Sequence, residues 1–93
     1  MKNQKNVKWV KKEEIAIEKI TENEIIVYDI NKNALHVLNH IGYLILEECN
    51  GLNFNEIIEN VKQKVNISEG IDINEELKSC LNNLEKAKLI ERI

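Results

Sequence analysis

The stretch Ala34–Gly51, ALHVLNHIGYLILEECNG, decides how this chain folds. It reads as a short strand, a Leu38-Asn39 step, and an apolar helix that stops at Asn50-Gly51. Asn39 suits the position before the helix, because its side-chain oxygen accepts a backbone N–H of the first turn. Ile41, Leu44, Ile45 and Glu48 follow at helical spacing, and Tyr43 and Leu46 widen the apolar arc. Gly51 is expected at the C′ position, where glycine takes the left-handed conformation at no steric cost. Upstream the pattern is that of strands, and downstream it is mostly that of helices. The segment is therefore the corner where a small sheet turns into a helical layer.

Working outward toward the N-terminus, Ile25–Ile30, IIVYDI, is the clearest strand, rich in β-branched and aromatic residues. Glu14–Ile20 alternates weakly, with Ile15 and Ile17 on one face, and Thr21–Glu24 is a polar turn. Asn31-Lys32-Asn33 fits a three-residue hairpin loop, since asparagine tolerates left-handed conformations. Such a loop sets Ile30 opposite Ala34, Tyr28 opposite His36 and Ile26 opposite Leu38. Ile25, Val27, Leu35 and Val37 then share a face. Both faces carry apolar groups, although a sheet covered by helices on one side needs only one. The second face asks for a cover: more of this chain, a dimer partner or a ligand. Residues 1–12 are rich in lysine and asparagine and are set apart as a flexible N-terminal segment. Within them Val7, Trp9 and Val10 are a candidate extended piece, and Trp9, the one tryptophan, is expected to cover an edge of the core. Residues 13–93 read as one domain.

Toward the C-terminus, Asn53 followed by Glu56 resembles a capping box and opens a second helix with the stripe Ile57, Ile58, Val61, Val65. Lys62 and Lys64 complement its dipole. Asn66–Ile71 reads as a loop. Asp72-Ile73-Asn74-Glu75 repeats the capping logic, and a third helix carries Ile73, Leu77, Cys80, Leu81, Leu84 and Ala87. It is expected to end near Lys88, with Leu89, Ile90 and Ile93 folding back on the core. The fold class is α+β: a three-stranded antiparallel sheet followed by three helices, β-β-β-α-α-α.

Composition narrows the function classes. Ninety-three residues, 43% hydrophobic and 31% charged, describe one soluble globular domain. The net charge of −3 gives no pull toward nucleic acid, and Arg92 is the one arginine, whereas phosphate and guanine readout favour arginine. No apolar run approaches the ~20 residues that span a bilayer, so no membrane partner is expected. Cys49 and Cys80 are isolated, outside any CxxC or Cys/His spacing, which argues for no metal, no cofactor and a cytosolic chain with reduced thiols. Glu47-Glu48 and Glu75-Glu76 are adjacent pairs that diverge by about 100° on a helix, so they read as solvated faces rather than acid/base pairs. No Ser/His/Asp or Cys/His arrangement follows from spacing, and no enzymatic activity is expected. His36 reads as a partly exposed sheet residue or as a contact that changes with pH near neutrality. His40 reads as structural.

The order Leu38-Asn39, apolar helix, Asn50-Gly51, Phe54, Glu56-Ile57, Leu81, Leu84 and a closing Leu89-Ile90 resembles the PqqD family, named for the small protein of pyrroloquinoline quinone biosynthesis. The resemblance covers residues 13 to 93. In this chain Asn50 replaces the usual aspartate, Asn53 replaces the usual Ser/Thr cap, and the proline common near the family's start is missing. The resemblance implies a winged helix-turn-helix-like fold used as a RiPP recognition element. Such a protein binds the leader segment of a ribosomally made precursor peptide and presents it to a modifying enzyme, often a radical SAM enzyme. It implies that the leader adds as a strand beside the third strand, in a groove bounded by the third helix. The edge would be Ala34, Leu35, His36, Val37 and Leu38, the wall Leu77, Leu81 and Leu84, with Lys78 at the rim for an acidic leader residue. The physics agrees: the last strand of a meander leaves a row of N–H and C=O groups unpaired, and an extended peptide can satisfy them. Two rivals stand beside this reading. One is a winged-helix DNA-binding protein, opposed by the acidic balance and by Glu75, Glu76 and Glu85 on the third helix. The other is a small dimerising accessory subunit of an enzyme complex, using the spare apolar sheet face.

Overall fold

The computed structural model describes residues 7–65 and 73–93. Among them nine elements follow one another: β1 (Lys8–Lys11), β2 (Ile15–Thr21), β3 (Glu24–Asp29), β4 (Ala34–Leu38), α1 (His40–Glu48), β5 (Asn50–Asn53), α2 (Phe54–Lys64), α3 (Asn74–Lys86) and β6 (Ile90–Arg92). The α+β class, the β2-β3-β4 meander and the three helices are as the residue pattern predicts. The expected single sheet is incomplete, because a second three-stranded antiparallel sheet runs in the order β5-β1-β6.

The meander differs from expectation by one residue of register. Ile25 pairs with Leu38, Ile26 with Val37, Val27 with His36, Tyr28 with Leu35 and Asp29 with Ala34. The hairpin loop therefore has four residues, Ile30 to Asn33. Asp29 makes the extra residue comfortable: its Oδ1 accepts the Lys32 N–H at 3.2 Å, and Asn33 takes the left-handed conformation at φ 54°. Ile30 leaves the ladder, its N–H bonding instead to the Glu14 carbonyl at 3.0 Å. A slip of one residue turns every side chain of a strand over. Leu35 and Val37 thus lie on the face opposite Ile25 and Val27, and are 60% and 63% exposed. The core-facing side of β4 carries Ala34, His36 and Leu38.

The second sheet is built from pieces distant in sequence. Trp9 of β1 pairs with Leu52 of β5 on one side and Arg92 of β6 on the other. Of the residues set apart as flexible, Lys8–Lys11 are this central strand and Trp9 is buried; residues 1–6 lie outside the described residues. The apolar tail folds back as expected for Leu89 and Ile90, which are buried, but Ile93 is exposed.

Caps fix the helix starts. The Gly42 N–H donates to Asn39 Oδ1 at 2.8 Å, and Asn53 and Glu56 form a complete capping box. α1 ends at Glu48 with Cys49 as its cap, one residue before the expected cap position, and Gly51 at φ 94° sits inside β5 instead. α3 starts after Ile73 with no side-chain cap bond; Asp72 and the expected loop before it lie outside the described residues. Ile45, Leu46, Ile57, Val61, Leu77 and Leu89, each at most 1% exposed, form the centre of the core between the two sheets' strands and the helices. Fully burying such a side chain contributes about 1.5–3 kcal/mol.

Of the two α1 glutamates expected on a solvated face, Glu48 is not on one. Glu48 is buried; Asn60 Nδ2 donates to it at 2.8 Å and Lys64 Nζ at 2.5 Å, tying α1 to α2. Glu47 pairs with Lys11 at 2.8 Å, tying α1 to β1.

Candidate functional site

Among the described residues β4 is the edge of its sheet, hydrogen-bonded to β3 alone. The phase of the ladder follows from one bond. Ile30 N–H donates to Glu14, so Ile30, Tyr28 and Ile26 turn their backbone polar groups toward β2. Antiparallel pairing alternates, so Ile25, Val27 and Asp29 turn theirs toward β4 and bond Leu38, His36 and Ala34. Leu35 and Val37 are left with N–H and C=O aimed away from the sheet. These are the groups an added strand would meet.

Beside this edge lies a groove of about 520 Å³. Leu35, His36, Val37 and Leu38 form one side, Asn39 and Gly42 of the α1 start form the end, and Cys80, Asn83, Leu84, Ala87 and Leu89 form the opposite wall. The α3 set has spacing i, i+3, i+4, i+7, one side of a helix. Among the described residues no carboxylate, lysine or arginine lines the groove. Its titratable groups are the His36 imidazole and the Cys80 thiol, which burial, and then Glu76, push up so that it stays protonated. The groove can hold short apolar side chains against Leu38, Leu84 and Ala87, with Asn83 and His36 able to hydrogen-bond. Among the described residues it holds no activated nucleophile.

The site residues expected from the sequence are distributed as follows. Leu35, His36, Val37, Leu38 and Leu84 meet in the groove. Ala34 is half-buried at the start of β4, outside the groove lining. Leu77 is 1% exposed and belongs to the core. Lys78 and Leu81 face the other side of α3, where they line a second cavity of about 230 Å³ with Val7, Trp9, Asn53, Phe54, Asn55, Asn82 and Arg92. Cys80, Asn83 and Ala87 were not in the expected set. Helical spacing groups them with Leu84, but which flank of the leucine stripe turns toward β4 depends on how α3 packs.

Among the described residues no cluster of three or more His, Cys, Asp or Glu side chains has the arrangement of a metal site. No described helix is long and apolar enough to cross a membrane.

The family model described as coenzyme PQQ synthesis protein D (PqqD) matches residues 24–90, from the start of β3 to the start of β6. No curated protein matches the chain. Among solved structures, the chain is similar to TbiB1, determined in complex with the TbiA(β) leader peptide. The two share 18% sequence identity over 88% of this chain and 94% of that one, with a TM-score of 0.65. At that identity the likeness is one of fold.

Proposed function

The chain belongs to the PqqD family, and on that premise we propose that it binds the leader segment of a ribosomally made precursor peptide by strand addition along β4. The observation that carries this reading is the open edge at Leu35 and Val37 with an apolar groove directly beside it. The fold it shares with TbiB1, a protein solved with a leader peptide, supports it.

An extended segment beside β4 bonds its own N–H and C=O groups to those of Leu35 and Val37. These main-chain bonds give affinity with little demand on sequence. Alternate side chains of the segment point into the groove, toward Leu38, Leu84 and Ala87, and these supply the choice of peptide. The remaining side chains lie beside Leu35 and Val37, where cross-strand apolar pairs each add about 0.2–1 kcal/mol. The exposed apolar groups of β4 thus gain a cover when peptide is bound.

The protein itself performs no chemistry in this reading. It holds the leader for a modifying enzyme, for which a radical SAM enzyme is the class the family resemblance implies, in the cytosol, where both thiols stay reduced. The test is an NMR titration with a synthetic leader taken from a precursor gene beside this one. Amide shifts concentrated at Leu35–Leu38 and Cys80–Ala87 support the reading. Shifts elsewhere, or none at saturating peptide, remove it.

A further inference from the structure

α3 has two working sides. Cys80, Asn83, Leu84 and Ala87 face the β4 groove, and Lys78, Leu81 and Asn82 face the cavity of about 230 Å³ against the second sheet. At 100° per residue the two sets point about 160° apart, with the buried leucine stripe between them. Both sites can therefore be occupied at once.

The second cavity has an apolar floor of Trp9, Phe54 and Leu81 and a polar rim that includes Lys78, Asn82 and Arg92. Its volume lies below the ~300 Å³ at which pockets for cofactors and small molecules begin, so it suits a single side chain of a partner. The charges around it are unequal. Arg92 is committed: it pairs with Glu85 through Nε and, at 3.0 Å, through Nη2, and lies 5.7 Å from the Trp9 ring centroid. Glu56, at the start of α2, is committed to the capping box. Lys78 is exposed and makes no ion pair among the described residues. The rim thus offers one uncompensated positive charge and carboxamides, beside a floor of aromatic and leucine side chains. Trp9 adds a buried indole N–H that has no hydrogen bond of ordinary geometry among the described residues, with the Glu85 carboxylate close beside it.

We infer that this cavity is a second docking site, which takes an apolar side chain next to a carboxylate from the enzyme to which the leader is presented. The identity of that partner rests on the function proposed above; the chemistry of the site does not. A protein that hands over a peptide must hold both at once, and the two sides of α3 allow that. The basic stretch ahead of Val7, with Lys2 and Lys5, has the wrong charge to satisfy Lys78.

The probe is N-acetyl-phenylalanine, an aromatic ring beside a carboxylate, compared with its uncharged amide. Binding is read from the Trp9 indole resonance and fluorescence and from the amides of Lys78 and Asn82. The acid is expected to move these signals, with the amide about threefold weaker, the size of an exposed ion pair. Lys78→Glu, a surface change that leaves the core intact, is expected to weaken the acid by at least as much and to spare the amide. No response at Trp9 up to the probe's solubility limit overturns the inference, as does equal binding of acid and amide. A response that emerges only when residues 1–6 are removed means that the chain fills its own cavity, and also overturns it. The leader peptide is titrated on the same labelled sample. If it moves Leu35 and Val37 while the probe moves nothing, this inference fails and the proposed function stands. If the probe binds and the leader does not, the docking site stands and the proposed function falls.

Discussion

Val37 stands opposite Ile26 in the β3–β4 ladder, with its side chain on the sheet face away from the core and 63% exposed. That position puts its N–H on the open edge and gives the first prediction. Val37→Pro deletes a donor that no described residue uses. Leader affinity is expected to fall about tenfold or more, the effect of a buried acceptor left without its donor, while the thermal midpoint moves little. His36→Pro is the contrast. It removes a bond within the sheet and is expected to lower the melting temperature. Calorimetric titration and circular dichroism melts check both.

The register makes a second prediction. Leu35→Thr together with Val37→Thr changes two exposed side chains, so stability is expected to stay within about 0.5 kcal/mol of the parent. In the register with a three-residue loop these side chains would share the face of Ile25 and Val27, and the same change would cost several times more. Urea unfolding distinguishes the two.

The uneven legibility of the chain has physical causes. Caps such as Asn39 and Asn53 are local: one side chain meets an N–H three residues on, so the residue type announces the bond. The hairpin register is not local in this sense. Three- and four-residue loops differ by one position, and the choice fell to the Asp29 carboxylate bonding Lys32 N–H. The second sheet was hidden because β5 and β6 have four and three residues, too few for a visible alternation, and NGLN reads as a helix stop followed by a cap. Glu48 was misread for a related reason, because its partners Asn60 and Lys64 lie on another helix. The edge strand at Ala34–Leu38 was legible, but the flank of α3 that faces it was not, since the rotation of α3 is set by packing.

Glu48 carries the third prediction. Lys64, opposed by burial and aided by Asn60, holds its carboxyl below the usual carboxylate range. A depressed folded pKa means stability that is present above the unfolded value, about 4.3, and is lost as pH falls through the lower folded value. Glu48→Gln is expected to cost about 1 kcal/mol at neutral pH. The gap to the parent should shrink as pH drops below about 4. Urea midpoints measured across that range show whether it does.

The two thiols give the fourth. Burial, then Glu48, pushes Cys49 up to about 12, and it lies at 1% exposure in the core. Cys80 is also raised but is half-buried in the groove wall. Maleimide at neutral pH is expected to label Cys80 slowly and Cys49 only on unfolding. Saturating leader should protect Cys80. Mass spectrometry of time points reads the order, and unchanged Cys80 labelling in the complex would count against a peptide in that groove.

Amide hydrogen exchange at β4 is the most direct measurement. In the free protein, His36 N–H is expected to be protected by its bond to β3 while Leu35 and Val37 N–H exchange freely. With leader bound, Leu35 and Val37 should become protected as well. Protection of both in the free protein, or fast exchange of both in a saturated complex, would contradict capture at this edge.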